Sequence, residues 1–489
     1  MTVQKMTGRE TLVLMASAGA LALLPTVASA QNAQSISQSD KEQGAKAHPQ
    51  LLEEFGGAVS GPQAAYVEGI GKDVAIYSGL SNARSDFTVT LLNSPVNNAF
   101  AIPGGYIYVT RDLVGLMNNE AELAGVLSHE VGHVVARHSN KRQSAATRNT
   151  VIGVLGSVLA GAVLGNNAIG GVVQKGLLQG SQLLTLKYSR SQETEADNLG
   201  VEYLKRGGYD PRAMGTVLQA LANENALEAR IQGRAATKVP EWALTHPSDA
   251  PRIKAALARA GSATGKTNRD RFLAGVNGMM MDDDPKQGII EGRRFTHPDF
   301  RFSFDAPQGF YMTNGTRAVA ITGQSGQAEL TSAAYGGNLD NYVRSVFSGL
   351  AGQGQTIDPR TVQRTTVNGI PAAYGAARVN SSSGQVDAVV FAYELSNSQA
   401  FHFVTLAKAG AAQSFDPMFA SMRRISATDA AAIKPRRLSV VTVRSGDTVQ
   451  SLSARMAYTD YKLDRFLVLN GLTSTSKLTP GQKIKLVVY

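Results

Sequence analysis

The chain has 489 residues, 43% of them hydrophobic and 18% charged, which is room for about three domains with real cores and too apolar for wholesale disorder. It carries 48 Lys+Arg against 38 Asp+Glu, a formal +10, but the surplus is spread along the chain with no basic run, so a nucleic-acid partner is excluded. There is no cysteine, which excludes disulfides, Cys-ligated zinc, a thiol nucleophile and a lipidated N-terminal Cys; any metal must be held by carboxylates and the seven His.

Lys5 and Arg9 precede an apolar stretch from Thr11 to Leu24, and Ala28-Ser29-Ala30 supplies small residues before Gln31. That order reads as an export signal over residues 1–30, too short to span a bilayer, and it predicts a periplasmic mature chain. Residues 31–47 are polar and read as loose. From His48 to about Ala260 the patterning is mainly helical, with a strand-like stretch over Phe87–Val109. Its second half, from Ala99 to Val109, reads as an edge strand, because proline is tolerated at edges and not in mid-sheet. An exposed edge can pair with an extended peptide, so Ala101, Ile102, Gly104, Gly105 and Tyr106 are the candidate substrate strand. The plainer alternative is a hairpin edge covered by a loop.

Leu127-Ser128-His129-Glu130-Val131-Gly132-His133 contains H-E-x-x-H. On a helix, His129 and His133 lie one turn apart on one face and can bind one zinc ion, with Glu130 beside that face, placed to take a proton from water at the metal. Asn118 and Asn119 can cap this helix, and Glu120 and Glu122 suit its N-terminal dipole. A chain of this composition contains the motif by chance about 0.003 times. A catalytic zinc needs a third protein ligand. Glu193 and Asp197, at i and i+4, share a helix face; one can ligate while the other accepts the free ring N–H of a ligating His. Glu195 falls off that face and reads as solvated. Between the two halves, Val151 to Gln174 is uncharged and Gly-rich. It is too short to span and reads as a buried hairpin or as a flap making peripheral membrane or client contact.

These motifs resemble the zinc metallopeptidase family (class M, family 48) that includes the CAAX-prenyl endopeptidases, the HtpX membrane proteases and the periplasmic beta-barrel assembly-enhancing protease. The resemblance covers about residues 40–260. It rests on Asn98-Ala99-Phe100-Ala101-Ile102-Pro103-Gly104-Gly105, His129 to His133, Glu193-x-x-Ala196-Asp197, and Thr245-His246-Pro247 with Arg252. It implies a mainly α, zincin-type (gluzincin) domain over 31–268 with a small edge-strand sheet. It also implies Glu193 as third ligand to one zinc per chain, Asp197 as partner of a ligating His, and Glu130 as general base. His246 either stabilises an oxyanion, occupies the metal's open position and holds the enzyme latent, or simply packs. His48, His138, His297 and His402 have no partner at ligand spacing and read as structural or surface residues.

Gly261 to Asn268 reads as a flexible connector. Met279-Met280-Met281 reads as packing more than as a client site, and Asp282-Asp283-Asp284 as a solvated turn more than as a cation site. Residues 286–426 read as an α+β middle domain with no catalytic cluster: period-two stretches at 301–304, 318–321 and 328–331, a hairpin around 396–399, and one helix over Leu339–Leu350. After a second linker at 427–437, residues 438–489 resemble a LysM domain, on Val441 to Thr448 with its Ser-Gly-Asp-Thr turn and on Leu478 to Leu486 with its Pro-Gly-Gln turn. The resemblance implies a βααβ unit that binds N-acetylglucosamine-containing glycan, here peptidoglycan, although Val440-Val441 stands where the first strand usually carries an aromatic.

The expectation is a multidomain periplasmic zinc metalloendopeptidase associated with the cell wall or outer membrane. Its LysM-like tail tethers it to peptidoglycan, and its substrates are unfolded or misassembled envelope proteins. Its rivals are a zinc-dependent peptidoglycan hydrolase and a latent, non-hydrolytic envelope chaperone.

Overall fold

The computed structural model describes residues 35–139, 188–233, 246, 250–350, 357–381 and 384–489. The stretch read as an export signal, 1–30, and the one read as a buried hairpin or a flap, 151–174, lie outside the described residues.

The polar stretch read as loose is helical from Gln38. Helix α1 (Gln38–Glu54) starts at Ser37, whose hydroxyl accepts a hydrogen bond from the Asp40 amide at 3.1 Å. It lies over the turn Pro103–Gly105, close enough that a Cβ on Gly44 would sit 2.2 Å from the Pro103 oxygen. Helix α2 (Pro62–Ala75) and the short α3 (Ala83–Asp86) lead to a sheet of β1 (Thr88–Leu92), β2 (Ala99–Ile102) and β3 (Tyr106–Thr110), in the order β1-β3-β2. β3 is parallel to β1 and antiparallel to β2, so β2 is an outer strand. Their turn requires glycine: Gly105 has φ 81°, and a Cβ there would lie 2.4 Å from the Asp86 oxygen.

Helices α4 (Arg111–Leu116), α5 (Glu120–Val135), α6 (Arg190–Arg206), α7 (Ala213–Ile231), α8 (Ala250–Ala260) and α9 (Arg269–Val276) build the rest of this unit. The connector at 261–268 is pinned rather than flexible. Lys266 bridges to Tyr209, and the Thr267 oxygen accepts from the Glu120 amide at 3.0 Å, satisfying a free N–H at the start of α5.

The middle unit stacks two sheets. The smaller holds β5 (Ile289–Glu291), β6 (Arg294–His297) and β7 (Phe302–Asp305). The larger is a seven-stranded antiparallel sheet of β8 (Tyr311–Asn314), β9 (Val319–Thr322), β10 (Gly326–Ala333), β11 (Val362–Val367), β12 (Ile370–Ser381), β13 (Gly384–Ser396) and β14 (Gln399–Lys408), in the order β11-β12-β13-β14-β10-β9-β8. Helix α10 (Leu339–Leu350) covers one face of the larger sheet through Tyr342, Val343 and Phe347. The other face meets Phe302, Phe304 and helix α11 (Asp416–Ser421), and β15 (Arg423–Arg424) closes the smaller sheet against β7.

Helix α12 (Ala427–Ala432) occupies much of the stretch read as a second linker. Then β16 (Arg436–Thr442), α13 (Val449–Ser453), α14 (Lys462–Asn470) and β17 (Lys483–Val488) form a βααβ unit. This unit does not hang free. The two-residue strand β4 (Met280–Met281) pairs with β16, and the Leu438 amide donates to the Met279 oxygen at 2.8 Å. The methionine run is therefore a third strand of the terminal sheet. The acidic triplet is a junction rather than a solvated turn, because each carboxylate meets a donor from elsewhere in the chain. Asp282 accepts from Tyr458 Oη at 2.9 Å, Asp283 from the Ile290 amide at 2.8 Å, and Asp284 from Asn93 Nδ2 at 2.8 Å. Leu113, Leu116 and Val276 share one apolar cluster with Leu438, Ile484 and Leu486. Burying that shared surface is worth roughly 1.5–3 kcal/mol per large side chain.

Candidate metal centre

Helix α5 is buried along its length from Glu120 to His133. Asn119 caps it, accepting from the Glu122 amide at 3.1 Å. Glu120, fully buried, accepts from Tyr66 Oη at 2.7 Å, Tyr209 Oη at 3.0 Å and Asn268 Nδ2 at 2.7 Å, which locks the first turn in place. Helix α6 begins with a reciprocal cap between Ser189 and Gln192. The two helices approach closely because the contact is lined by small residues. A Cβ on Gly132 would lie 3.1 Å from the Ala196 oxygen, and one on Gly200 would lie 3.2 Å from the His129 nitrogen.

That approach brings Glu193 to the histidine face. His129 Nε2 and His133 Nε2 are 2.9 Å apart, and the Glu193 oxygens lie 3.5 and 3.4 Å from them. His246 joins them, with Nδ1 at 2.9 Å from Glu193 Oε1 and 3.3 Å from His129 Nε2. One donor atom from each of His129, His133, Glu193 and His246 falls within 4.8 Å of the others, and all four residues are buried. Asp197 Oδ1 lies 2.8 Å from His129 Nδ1, the ring nitrogen turned away from the cluster. Glu130 Oε1 is 3.8 Å from His246 Nε2. Residues 62–260 match the model of peptidase family M48, and residues 441–487 match that of the LysM domain.

The chain carries an M48 peptidase domain. The Beta-barrel assembly-enhancing protease of Yersinia pestis is 35% identical over 188 residues, 38% of this chain and 37% of that protein. That of Escherichia coli (strain K12) is 31% identical over 198 residues, 40% of this chain and 38% of that one. The Mitochondrial metalloendopeptidase OMA1 of Schizosaccharomyces pombe is 32% identical over 218 residues, 44% of this chain and 59% of that one. The chain thus spans well under half the length of the first of these relatives. M48 peptidases depend on a metal, and the donor set of the M48 domain suits one. Besides the four converging donor residues, Glu130 Oε2 and His246 Nε2 are buried with no hydrogen-bond partner among the described residues.

The electrostatics of the M48 site separate its two glutamates. Burial pushes the Glu130 carboxyl upward. Burial acts on Glu193 in the same sense but loses to His246, His129 and His133, which hold its carboxyl far below the usual range. Asp197 is likewise held down to about 2 against burial, by Arg252 and His129. Burial pulls His129 down, but Asp197 and Glu193 outweigh it and raise the ring to about 10, so a metal binding there displaces a proton. His133 is pulled well below the usual range by burial and by the neighbouring His129.

Four further residues shape the centre, of which only Arg252 belonged to the resemblance. Arg252 of α8 holds Asp197 with two bonds of 2.6 and 2.8 Å and reaches Glu193 at 2.8 Å. Tyr188 stacks on the His133 ring at 3.8 Å between centroids. His138, read as structural or surface, touches His133 directly, with Nδ1 2.8 Å from its Nδ1, and Glu195, read as solvated, meets His138 Nε2 at 3.1 Å. His48 bonds Tyr108 Oη and His402 bonds Tyr342 Oη, both away from the centre. Of the candidate substrate strand, Ala101, Ile102, Gly104 and Gly105 are buried and Tyr106 is half-buried. A cleft beside the turn is lined by Ser35, Ile36, Ile102, Pro103, His133 and Arg137, so it runs from β2 to the end of α5.

Proposed function

We propose that this chain is a zinc-dependent endopeptidase of the cell envelope, with His129, His133 and Glu193 holding the metal. The observation that carries this reading is the buried convergence of those three side chains, with Glu130 beside them, inside an M48 domain. Two imidazoles and one carboxylate are a donor set that zinc takes. A zinc ion bound there supplies Lewis acidity toward water and a peptide carbonyl. The Glu130 carboxylate takes the proton from the attacking water and delivers it to the departing amine, a role to which its raised affinity for a proton is suited. Asp197 holds His129 by Nδ1, and Arg252 holds Asp197. Ala101 and Ile102 align an extended peptide along the outer edge of β2, Gly104, Gly105 and Tyr106 shape the turn that ends that edge, and the cleft at Ile102 and Pro103 leads to His133.

His246 favours a second state of the same enzyme. With its imidazole among the donors the set has four protein members, and a metal so enclosed keeps no open position. In this reading the enzyme is latent until His246 swings away, after which His246 is free to serve the oxyanion.

Substrates are unfolded or misassembled envelope proteins, in keeping with the names of the assembly-enhancing relatives. The export-signal pattern at 1–30 supports a periplasmic site. No helix among the described residues is long and apolar enough to cross a membrane. The LysM domain contacts peptidoglycan through its outward loops, where Arg444 to Gly446 and Gly481 are exposed.

The test pairs zinc content with casein cleavage in wild type and Glu130→Gln. The expected result is zinc in both, with cleavage at least about a hundredfold lower in the variant. Zinc in neither would overturn the reading. Digestion of purified sacculi without casein cleavage would favour a peptidoglycan hydrolase, and client binding without turnover would favour a chaperone.

A further inference from the structure

We infer that His138 and Glu195 are positioning residues that fix the ring tautomer of His133, and so decide which of its nitrogens faces the metal. The inference rests on the reading that His133 is a zinc ligand. An imidazole ligates only through a nitrogen without a proton, and the hydrogen bond made by the other nitrogen decides which one that is. At His129 the arrangement is direct, with Asp197 Oδ1 at 2.8 Å from Nδ1. Among the described residues His133 has no carboxylate at the corresponding place. Its Nδ1 faces instead the Nδ1 of His138, at 2.8 Å, and two like nitrogens can share a hydrogen bond only if one is protonated and the other bare.

Glu195 settles which. Its carboxylate has acceptors only, and Oε2 lies 3.1 Å from His138 Nε2, so a neutral His138 ring carries its one proton on Nε2 and leaves Nδ1 bare. His138 Nδ1 then accepts from His133 Nδ1–H. The remaining nitrogen of His133, Nε2, is bare, and it is the one that lies 2.9 Å from His129 Nε2 and 3.4 Å from Glu193. Tyr188, stacked at 16° on the same ring, holds its plane. The relay Glu195–His138–His133 thus does through an intermediate imidazole what Asp197 does for His129 in one step.

The backbone is bent to make this contact. Helix α5 ends at Val135, and Arg137 adopts φ 53°, a left-handed conformation that residues with a side chain seldom take. That reversal folds His138 back against the last turn, where it is fully buried. Backbone strain of this kind persists where surrounding contacts over-determine it, and it clusters at functional sites.

The test is zinc affinity of the full chain, measured by competition with a chromogenic chelator. His138→Ala is expected to weaken zinc binding ten- to a hundredfold. His138→Asn, which offers an amide oxygen near the position of Nδ1, is expected to stay within about threefold of wild type. Glu195→Ala, at an exposed side chain, is expected to fold normally and to lose several-fold. Nitrogen-15 spectra of the zinc-free wild type report the tautomer directly and should show His133 protonated at Nδ1; they decide the matter together with Glu195→Ala if His138→Ala does not fold. Unchanged affinity in both alanine variants, an asparagine variant as weak as the alanine one, or a His133 proton on Nε2 would each overturn the inference. A wild type that binds no zinc would instead overturn the assignment of the metal centre on which it rests.

Discussion

Lys485 and Gly115 are 370 positions apart in the chain, yet the Lys485 ammonium donates to the Gly115 oxygen at 2.7 Å. The same Nζ reaches the Leu116 oxygen at 3.1 Å and the Met117 oxygen at 2.5 Å, and the residue is fully buried. These are carbonyls that the end of α4 leaves without helical partners, and a cation there also suits the helix dipole. Arg269 strengthens the joint, donating to the Asn118 oxygen at 2.6 Å and to the Lys483 oxygen at 3.1 Å. Since Asn119 caps α5, the terminal βααβ unit sets the place where the helix of His129 and His133 begins.

Lys485→Met keeps the aliphatic stem and strands those carbonyls in the interior. It is expected to destabilise the chain by about 2–4 kcal/mol, read from urea unfolding. Truncation after Arg437 removes the same contacts along with Ile484 and Leu486. The shortened chain should lose zinc as well as stability, whereas a tail on a free linker would leave both unchanged.

The close approach of α5 and α6 makes Gly132 the most sensitive small residue of the centre. Gly132→Val places branched methyls where even a Cβ meets the Ala196 oxygen at 3.1 Å and Leu199 at 3.3 Å. Because Ala196 cannot yield without moving α6, Glu193 should draw away from the two histidines. The expected result is a loss of about 1–3 kcal/mol in stability and at least about tenfold in zinc affinity. Zinc affinity equal to wild type would mean that Glu193 is not held by this contact.

His246→Ala distinguishes latency from catalysis. If His246 closes the donor set, its removal leaves His129, His133 and Glu193 in place. Zinc should then be retained and casein cleavage should rise. A fall in cleavage with zinc retained would assign His246 to the oxyanion instead.

What was legible in the sequence was what depends on local spacing. His129 and His133 on one face, Glu193 and Asp197 on another, and the period-two strands of the middle unit all follow from helical or strand geometry within a few residues. What was not legible depends on partners that only tertiary contact supplies. His138 looked idle because the left-handed turn at Arg137 has no sequence signature without glycine. Asp282 looked solvated because Tyr458 lies 176 positions away, and Lys485 drew no reading because a lysine in sequence gives no sign of burial. Helix α1 escaped notice because its contact is made partly by a glycine, Gly44, rather than by an apolar stripe.

The middle unit should have an acid-sensitive step of its own, through His402. Burial holds its imidazole down to about 4 from the ordinary 6.5, and its Nδ1 lies 2.9 Å from Tyr342 Oη. The folded state therefore keeps His402 neutral in a range where the unfolded chain takes up a proton. The unfolded state binds more protons between pH 6.5 and 4, so stability is complete above that window and declines as pH falls through it. A displacement of that size corresponds to about 3 kcal/mol. His402→Gln keeps a side chain able to meet Tyr342 and cannot titrate. Its urea midpoint should fall less than that of wild type between pH 7 and pH 4, by an amount equivalent to most of that figure. Parallel declines in the two proteins would place the acid sensitivity elsewhere, with His297, also lowered to about 4 by burial, as the next residue to replace.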